Sequence, residues 1–383
     1  MTYKRILKPN LATSPQPSPQ GEGDSTIAIV GAGASGCICA YYLLKAGLNV
    51  TLFDKGSPLR TLLPTGGGRC NLAHAEYDFK ELAKNYPRGE KFLYSVFSRF
   101  STSDTIEMFE EIGIKTYTQE NGRIFPESNS AKDVRLAILN SIKKAKIIKK
   151  EITSFHDLKN FDTIIIATGG KSGYELAKEA GLNIINPRPS LVGLNSKEDF
   201  KELSGTVIND ILFTHFGISG PYIYKISADK AFAEFPYELS FDLCPELTDL
   251  QSVLNTYPHK EIKNILAEYL PAKVGKFLLK GVNQGVNQGV KAHQIDGKTR
   301  DLILEKIHNF KVTVTGTNKG EETVTAGGID LDEINPKTME AKKVPNLYCI
   351  GEVLNIDGYC GGFNLQNAWS TAYIAANAIL QEE

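Results

Sequence analysis

The chain has 383 residues, of which 42% are hydrophobic and 23% charged, the balance of a globular protein with two or three domains. Its formal net charge is -1, from 43 basic and 44 acidic residues, which argues against a general affinity for nucleic acid. Six cysteines are scattered without a Cys-x-x-Cys pair, which argues against a disulfide scaffold and favours a cytoplasmic location.

The first 24 residues carry a tract rich in proline, serine and glutamine at 13–21. Such a composition predicts a disordered leader outside the fold. The uncharged stretch 26–44 is interrupted by three glycines, which predict a strand, a turn and a helix in place of a membrane span. No association with a membrane is therefore expected.

A glycine fingerprint, Gly-x-Gly-x-x-Gly at 31–36, follows a predicted strand and opens a predicted helix. Gly31 allows the tight turn, Gly33 lets the backbone approach a pyrophosphate, and Gly36 permits close packing of the helix on the strand. Asp54 ends the second predicted strand, where a carboxylate bonds a ribose hydroxyl. The pattern predicts a dinucleotide site but does not separate FAD from NAD.

Three further glycine-rich segments follow. Residues 65–71 read TGGGRCN, and three glycines before an arginine let the backbone press against a flat ring or a phosphate. The sequence ATGG at 167–170 follows a buried strand, where a parallel sheet presents its carboxyl ends to a cofactor. Near the C-terminus, Gly351-Glu352 follows an apolar run and the glycines at 361–362 open the last predicted helix. This second strand-to-helix junction favours FAD, with the flavin ring at the N-terminal end of that helix.

Two side chains in these segments have roles of their own. Glu352 ends a strand beside the predicted cofactor channel, where its carboxylate would bond the ribityl hydroxyls. Cys70 is either a reactive thiol beside the flavin or a buried, inert cysteine, which is the commoner case.

Between the motifs, the chain predicts a mixed architecture. A helix is expected at 130–144, and a hairpin at 115–126 with a type I′ turn at Asn121-Gly122. Short strands are expected over 191–243 and helices over 246–309. A tandem tetrapeptide repeat at 281–290 predicts a loop or a frayed helix end.

Six segments together resemble a family of FAD-dependent oxidoreductases that includes aminoacetone-oxidase-like proteins and a bacterial bile-acid 3-dehydro-Δ4,6-reductase. They fall between residues 26 and 370 and read IVGAGASG, TGGGRCN, NGRIFPESNSAKDV, LFTHFGISGP, TAGGIDLDEINPKTMEAKKVPNLYCIGEVLNIDG and GGFNLQNAW. The chain departs from the family in a short loop after Gly170 and in Asn355, where aspartate is usual. These departures put turnover in question more than FAD binding.

The resemblance implies an α/β fold with a discontinuous, glutathione-reductase-like Rossmann domain for FAD and an inserted β-barrel-like plus helical domain. The expected limits are 25–190 and 322–383 for the FAD-binding domain. The β-rich insert would comprise 191–245 and 310–321, and the helical insert 246–309.

The resemblance also implies a set of cofactor-binding residues, ordered along the FAD molecule from pyrophosphate and adenosine to flavin. They are Gly31, Gly33, Ala34, Ser35, Gly36, Asp54, Lys55, Ile152, Ala167, Thr168, Gly169, Gly351, Glu352, Gly68, Arg69, Cys70, Asn71, Gly362, Phe363, Asn364 and Leu365. His215, in the insert, either donates a proton at the flavin or caps a turn, which is the commoner role. No histidine pattern suggests a metal site.

These observations predict an FAD-dependent oxidoreductase that transfers a hydride between flavin N5 and a small organic substrate or NAD(P)H, the latter as a transient donor. Two alternatives remain open. One is a flavoprotein that modifies RNA, for which the only support is a run of five lysines between 143 and 150. A solvated surface explains that run better, so no nucleic-acid partner is expected. The other is a redox sensor that holds FAD without turnover. The oligomeric state is open.

Overall fold

The computed structural model describes residues 26–280, 282, 289–318, 320 and 324–382. The predicted leader at 1–24 and most of the tandem repeat at 281–290 lie outside these residues. The chain divides into two compact units, one formed by the residues up to 188 and from 324 onward, the other by 189–323.

The strands of the described residues are short, and several are separated by long segments of chain. In chain order they are β1 (Ile27–Val30), β2 (Val50–Asp54), β3 (Ala73–His74), β4 (Thr116–Thr118), β5 (Arg123–Pro126), β6 (Lys146–Lys149), β7 (Thr163–Ile166), β8 (Ile184–Ser190), β9 (Leu194–Ser196), β10 (Val207–Ile208), β11 (Ile211–Phe213), β12 (Gly217–Ser219), β13 (Tyr237–Phe241), β14 (Phe310–Thr317), β15 (Val324–Ile329) and β16 (Leu347–Cys349).

The helices vary more in length, and the last is the longest. They are α1 (Ala34–Lys45), α2 (Phe79–Ala83), α3 (Glu90–Phe97), α4 (Thr102–Glu111), α5 (Ala131–Ser141), α6 (Tyr174–Glu179), α7 (Pro221–Asp229), α8 (Leu250–Thr256), α9 (Ile262–Leu266), α10 (Ala272–Lys280), α11 (Gly297–His308) and α12 (Phe363–Glu382).

The first unit is built on five parallel strands in the order β16-β7-β1-β2-β6. β1 and β7 are buried along their whole length, as apolar runs must be when both faces of a parallel sheet are covered. α1 and α12 pack against each other. The lysine-bearing strand β6 forms an exposed edge, where lysine discourages pairing with other chains. The predicted α/β architecture with a parallel sheet is confirmed.

A three-stranded antiparallel sheet in the order β3-β5-β4 lies in the same unit. Its predicted hairpin, β4–β5, is present, but the predicted turn type is wrong. A type I′ turn needs a positive φ at both central residues, and only Gly122, at +78°, has one. The Gly122 N–H donates to the Gln119 carbonyl at 2.9 Å, so the chain turns through Glu120 and Asn121 before Gly122 takes the left-handed position.

The second unit contains a six-stranded antiparallel sheet in the order β10-β11-β12-β9-β14-β13. It has a hydrophobic core of its own, in which the rings of Phe200, Phe213 and Phe310 pack against one another. α8 to α11 contribute to this core. Among the described residues of the whole chain, no helix is long and apolar enough to cross a membrane.

Candidate cofactor and substrate site

The N-terminal end of α1 is open to an anion. Gly33 is the N-cap residue, no side chain caps the helix, and its first turn contains no acidic residue. The first N–H groups of a helix lack partners within the helix, and its dipole places positive charge at the same end. A phosphate group would satisfy both.

The three fingerprint glycines occupy different surroundings. A methyl group on Gly31 would lie 2.2 Å from the Ala167 carbonyl oxygen, and one on Gly36 would lie 1.9 Å from the Gly31 carbonyl oxygen. Apart from its chain neighbours and the backbone of its own helix, no atom of the described residues lies within 4 Å of the position that a methyl group on Gly33 would occupy. Gly31 and Gly36 are therefore needed for packing, whereas Gly33 leaves a space that the described residues do not fill.

Asp54 connects the end of β2 to this turn. Its carboxylate accepts hydrogen bonds from the Ala32 N–H at 2.8 Å and from the Gly56 N–H at 2.7 Å. A carboxylate has further lone pairs, so it can also accept from a ribose hydroxyl. The ammonium of Lys55 lies 2.9 Å from the Glu151 carboxylate, and Ile152 follows β6 as a buried side chain.

Glu352 follows β16 and holds two other segments in place. Its carboxylate accepts from the Thr325 N–H at 2.9 Å, and the Gly170 N–H is a second backbone donor to it. Burial raises the pKa of this carboxyl to about 7. Its neutral and charged forms therefore lie close in free energy at physiological pH.

The loop after β7 is short and closed on itself. The Thr168 hydroxyl donates to the Ser172 carbonyl at 2.7 Å, and the Tyr174 hydroxyl donates to the Gly170 carbonyl at 2.8 Å. Nearby, a methyl group on Gly351 would lie 2.5 Å from the Ser35 hydroxyl oxygen, and the Gly351 N–H donates to the Thr371 hydroxyl at 3.0 Å. The segments 31–36, 167–170 and 351–352 thus meet at the carboxyl ends of the parallel strands.

The segment TGGGRCN forms a tight turn of left-handed residues. Gly66, Gly67 and Gly68 have φ values of 58°, 68° and 86°. No atom lies within 4 Å of the position of a methyl group on Gly67, so the backbone there faces open space. Cys70 is fully buried, and burial raises the pKa of its thiol to about 12. The inert role, not the reactive one, fits this thiol.

The turn at 65–71 lies against the start of α12. The Trp369 indole N–H donates to the Leu72 carbonyl at 2.9 Å, and a methyl group on Gly362 would lie 2.4 Å from the Ala73 carbonyl oxygen. The Asn364 side chain accepts from the Gly358 N–H and donates to the Gly358 carbonyl, both at 2.8 Å. Phe363 is buried and Leu365 is partly buried. The segments that carry the predicted ring-binding residues 68–71 and 362–365 are therefore joined through Leu72 and Ala73, which directly follow residue 71.

Polar atoms without partners accompany this second group. The side-chain oxygens of Asn71, Gln366 and Asn367 are buried and accept no hydrogen bond within the described residues. Buried acceptors of this kind cost free energy unless a donor reaches them. The unpartnered acceptors and the open space at Gly33 therefore both fit a cofactor rich in hydrogen-bond donors and acceptors.

Sequence reasoning missed three residues next to this group. His74 ends β3, Arg123 begins β5, and Cys360 precedes α12. Arg123 Nη2 donates to Cys360 Sγ at 3.9 Å, and the His74 ring stacks on Phe363 with 4.7 Å between ring centroids. No local pattern marks them, because the partners are 237 and 289 residues apart along the chain.

His215 lies in the second unit, exposed in the turn between β11 and β12 with its ring edge-on to Phe216. The predicted cofactor residues lie in the first unit. The role of His215 at the flavin stays a prediction. Within the part of the chain that the structure describes, no group of three or more histidine, cysteine, aspartate or glutamate side chains could hold a metal ion.

Known proteins resemble this chain along most of its length. A ribosomal RNA dihydrouridine synthase of Escherichia coli strain K12 is 31% identical, over 92% of this chain and 97% of that protein. A 3-dehydro-bile acid delta(4,6)-reductase of Clostridium scindens is 27% identical, over 92% of this chain and 98% of that protein. Among solved structures, 3-ketosteroid delta1-dehydrogenase from Sterolibacterium denitrificans has a TM-score of 0.50 at 13% identity, and the match covers 94% of this chain and 100% of that one.

The similarity to the solved structure concerns the fold alone. With the family match it confirms the predicted Rossmann-type FAD-binding fold. The family match and the reductase relative support the assignment to flavin-dependent oxidoreductases. The family model, described as HI0933-like protein Rossmann domain, matches residues 25–378. The chain therefore belongs to the HI0933-like family.

Proposed function

We propose that this chain is an FAD-dependent reductase that adds two hydrogens across a carbon–carbon double bond conjugated to a carbonyl group. The observation that carries FAD binding is the unfilled space at Gly33 in front of the uncapped end of α1. A pyrophosphate matches that space in size, charge and hydrogen bonding.

The residues proposed to hold FAD follow the two groups described above. The pyrophosphate would contact Gly31, Gly33, Ala34, Ser35 and Gly36. The remaining residues would hold the adenosine, ribityl and ring portions, namely Asp54, Lys55, Ile152, Ala167, Thr168, Gly169, Gly351, Glu352, Gly68, Arg69, Cys70, Asn71, Gly362, Phe363, Asn364 and Leu365. FAD, when bound, supplies a hydride through N5 of its flavin ring. The N-terminal end of α12 would favour negative charge on the ring beside it.

The reaction class is supported by the names of two relatives. Dihydrouridine is uridine whose C5–C6 double bond, conjugated to the C4 carbonyl, has gained two hydrogens. The name 3-dehydro-bile acid delta(4,6)-reductase likewise describes double bonds conjugated to a 3-oxo group. The two names share this bond type, although the molecules that carry it differ.

Uridine in ribosomal RNA is the first substrate we propose, because the relative named for it is 31% identical over nearly the full length of both chains. A small conjugated ketone is the second, supported by the 27% relative and by the balanced net charge. The sequence predicts no nucleic-acid partner, which is opposed to the first substrate, and that prediction stays untested. We propose NADH or NADPH as the electron donor.

Product analysis tests the function. FAD-loaded protein is incubated without oxygen, with NADPH or NADH, and with either a small enone or ribosomal RNA from cells that lack this protein. Mass spectrometry then measures the masses of the enone product and of the nucleosides released from the RNA. A uridine that gains two hydrogens supports the first substrate. Reduction of a small enone but not of RNA supports the second. If the flavin binds and neither is reduced, the reductase is refuted and the sensor alternative is favoured.

A further inference from the structure

One face of the three-stranded sheet collects basic side chains beside the start of α12. His74 on β3 and Arg123 on β5 are directly opposite each other in the sheet, so their side chains point to the same side. Phe125 lies two residues after Arg123 and therefore shares that side. The guanidinium of Arg69 stacks over the Phe125 ring, 4.2 Å from its centroid. We call Arg69, His74 and Arg123 the basic face.

The arginines of the basic face have no acidic partner within the part of the chain that the structure describes. Among the described residues, no carboxylate lies within 4.0 Å of either guanidinium, although both side chains are only partly exposed. Arg69 Nε donates to the Gly66 carbonyl at 3.3 Å, and Arg123 donates to the Cys360 sulfur. A carbonyl carries no charge and sulfur is a weak acceptor. Partly buried charges without a counter-ion favour binding of an anion.

His74 fixes the position of the basic face relative to the flavin-ring residues. Its Nδ1 lies 3.2 Å from the Gly361 carbonyl oxygen, which can only accept, so Nδ1 carries the proton. A methyl group on Gly122 would lie 2.6 Å from His74 Nε2, so a glycine is needed there to admit the ring. The face thus adjoins Gly362 and Phe363, at the proposed end of the flavin.

We infer that the basic face is a substrate subsite in which Arg123, supported by Arg69, binds an oxyanion group of the molecule whose double bond is reduced. The group would be a phosphodiester in an RNA strand, or a carboxylate in a small acid. Arginine suits both, because its planar fork matches two oxygens of either group. The inference rests on the proposed function, since it places the subsite by the proposed ring-binding residues.

Cys360 supplies a direct readout of this subsite. It is the only exposed cysteine of the six, all of which lie within the described residues, and its sulfur contacts Arg123. A neutral maleimide should therefore label the FAD-loaded full chain at Cys360, and an anion bound to Arg123 should slow the labelling. The probes are uridine against uridine 3′-methyl phosphate, which adds one phosphodiester, and cyclohexenone against a cyclohexenone carboxylic acid.

We expect the anionic member of one pair to protect Cys360 at about tenfold lower concentration than its neutral partner, as for one charge-assisted hydrogen-bonded pair. In Arg123→Gln this advantage should shrink at least fivefold, whereas Lys115→Gln, which removes an exposed charge just before β4, should keep it. The pair that responds identifies the phosphodiester or the carboxylate.

Equal protection within both pairs, or an advantage that survives in Arg123→Gln, would overturn the subsite. The labelling needs no turnover, so it separates the two proposals. If the anion protects Cys360 through Arg123 but no enone or uridine is reduced, the subsite is supported and the reductase function is contradicted. If an enone or uridine is reduced but protection shows no preference that depends on Arg123, the reductase function is supported and the subsite is contradicted.

Discussion

At the residue scale, Gly33 is the position where a substitution should remove the cofactor without harming the fold. Its φ of -84° and ψ of -162° suit any residue, and among the described residues no atom beyond its neighbours in the chain lies within 4 Å of an added methyl group. We expect Gly33→Val to fold with an unchanged melting temperature and to lose at least about tenfold in FAD affinity, because the side chain fills the pyrophosphate space.

The matched control is Gly297→Ala, which also adds a side chain at the start of a helix, α11 in the second unit. FAD content is measured from the visible flavin absorbance after gel filtration. If Gly33→Val retained normal FAD while folding normally, the phosphate site would lie elsewhere.

Glu352 predicts a pH dependence with a definite sign. Burial raises the pKa of its carboxyl from 4.5 to about 7, so between these values the folded protein binds the proton that the unfolded chain releases. The contribution of this group to stability is therefore greatest below pH 4.5 and is lost as pH rises to about 7. In FAD-free protein, the free energy of unfolding of Glu352→Gln should rise relative to that of the parent by about 1–3 kcal/mol as pH increases across this range.

Urea denaturation at pH 5 and pH 8 measures that difference, with Glu175→Gln, which is exposed on α6, as the control. A stability difference between parent and Glu352→Gln that does not change with pH would contradict the account of this carboxyl.

Gly31 and Gly36 were predictable as turn and packing positions because those roles are local. A turn, a close approach and a strand end are encoded within about 25 residues, so the pattern itself specifies the geometry. For Cys70 the sequence favoured the inert state without deciding it, and the partners of Glu352 were not predictable, because burial and partners are created by distant segments. The basic face is the extreme case, since β3, β5 and residue 360 meet only in the folded chain.

At the scale of elements, the segment between β16 and α12 is anchored by one buried ion pair. The Arg88 guanidinium pairs with both oxygens of Asp357, which is fully buried while Arg88 is 14% exposed. Removal of one partner leaves a buried charge, so Arg88→Ala should lower the free energy of unfolding by about 3–5 kcal/mol. The loop before α12 should loosen as well.

Lys45→Ala provides the comparison, because its ion pair with Glu111 is about half exposed on both sides and should cost at most about 1 kcal/mol. Chemical denaturation measures both values, and the rate of Cys360 labelling reports the loop. Similar losses for the two variants would show that Asp357 does not depend on Arg88.

The elements themselves were largely predictable from periodicity and flanking residues. The strand, turn and helix expected within 26–44 are β1, the glycine turn and α1; Asp54 ends β2 as expected, and α12 begins directly after the glycines at 361–362. The turn at Gly122 was mistaken because the Asn-Gly pattern favours type I′, whereas the structure places only the glycine at positive φ. Such a choice is decided by strand register, which the local sequence does not contain.

At the scale of the whole molecule, the two units give separate unfolding signals. Trp369 is the only tryptophan, and it is fully buried in the core of the first unit. Its fluorescence therefore reports that unit alone, whereas circular dichroism reports both. FAD at 100 times its dissociation constant should stabilise the fluorescence-detected transition by about 2.7 kcal/mol.

The unfolding transition of the second unit, detected by circular dichroism, should be stabilised less by FAD, because the proposed cofactor residues all lie in the first unit. An equal shift of every signal would mean that the units unfold as one, and no shift in fluorescence would contradict FAD binding in the first unit. At the same FAD concentration, the tenfold or greater loss of affinity in Gly33→Val should reduce the fluorescence-detected shift to about 1.4 kcal/mol or less.

We propose that this chain binds FAD at Gly33 and passes a hydride from it to a double bond conjugated to a carbonyl. The most direct measurement mixes anaerobically reduced, FAD-loaded protein with an enone or with uridine-containing ribosomal RNA and follows the flavin absorbance. We predict that the oxidised flavin spectrum returns as the double bond is lost, one flavin for each bond reduced, and that Gly33→Val protein retains less flavin and reduces correspondingly fewer bonds. Protein that carries no FAD, or reduced flavin that no such acceptor oxidises, would contradict the account.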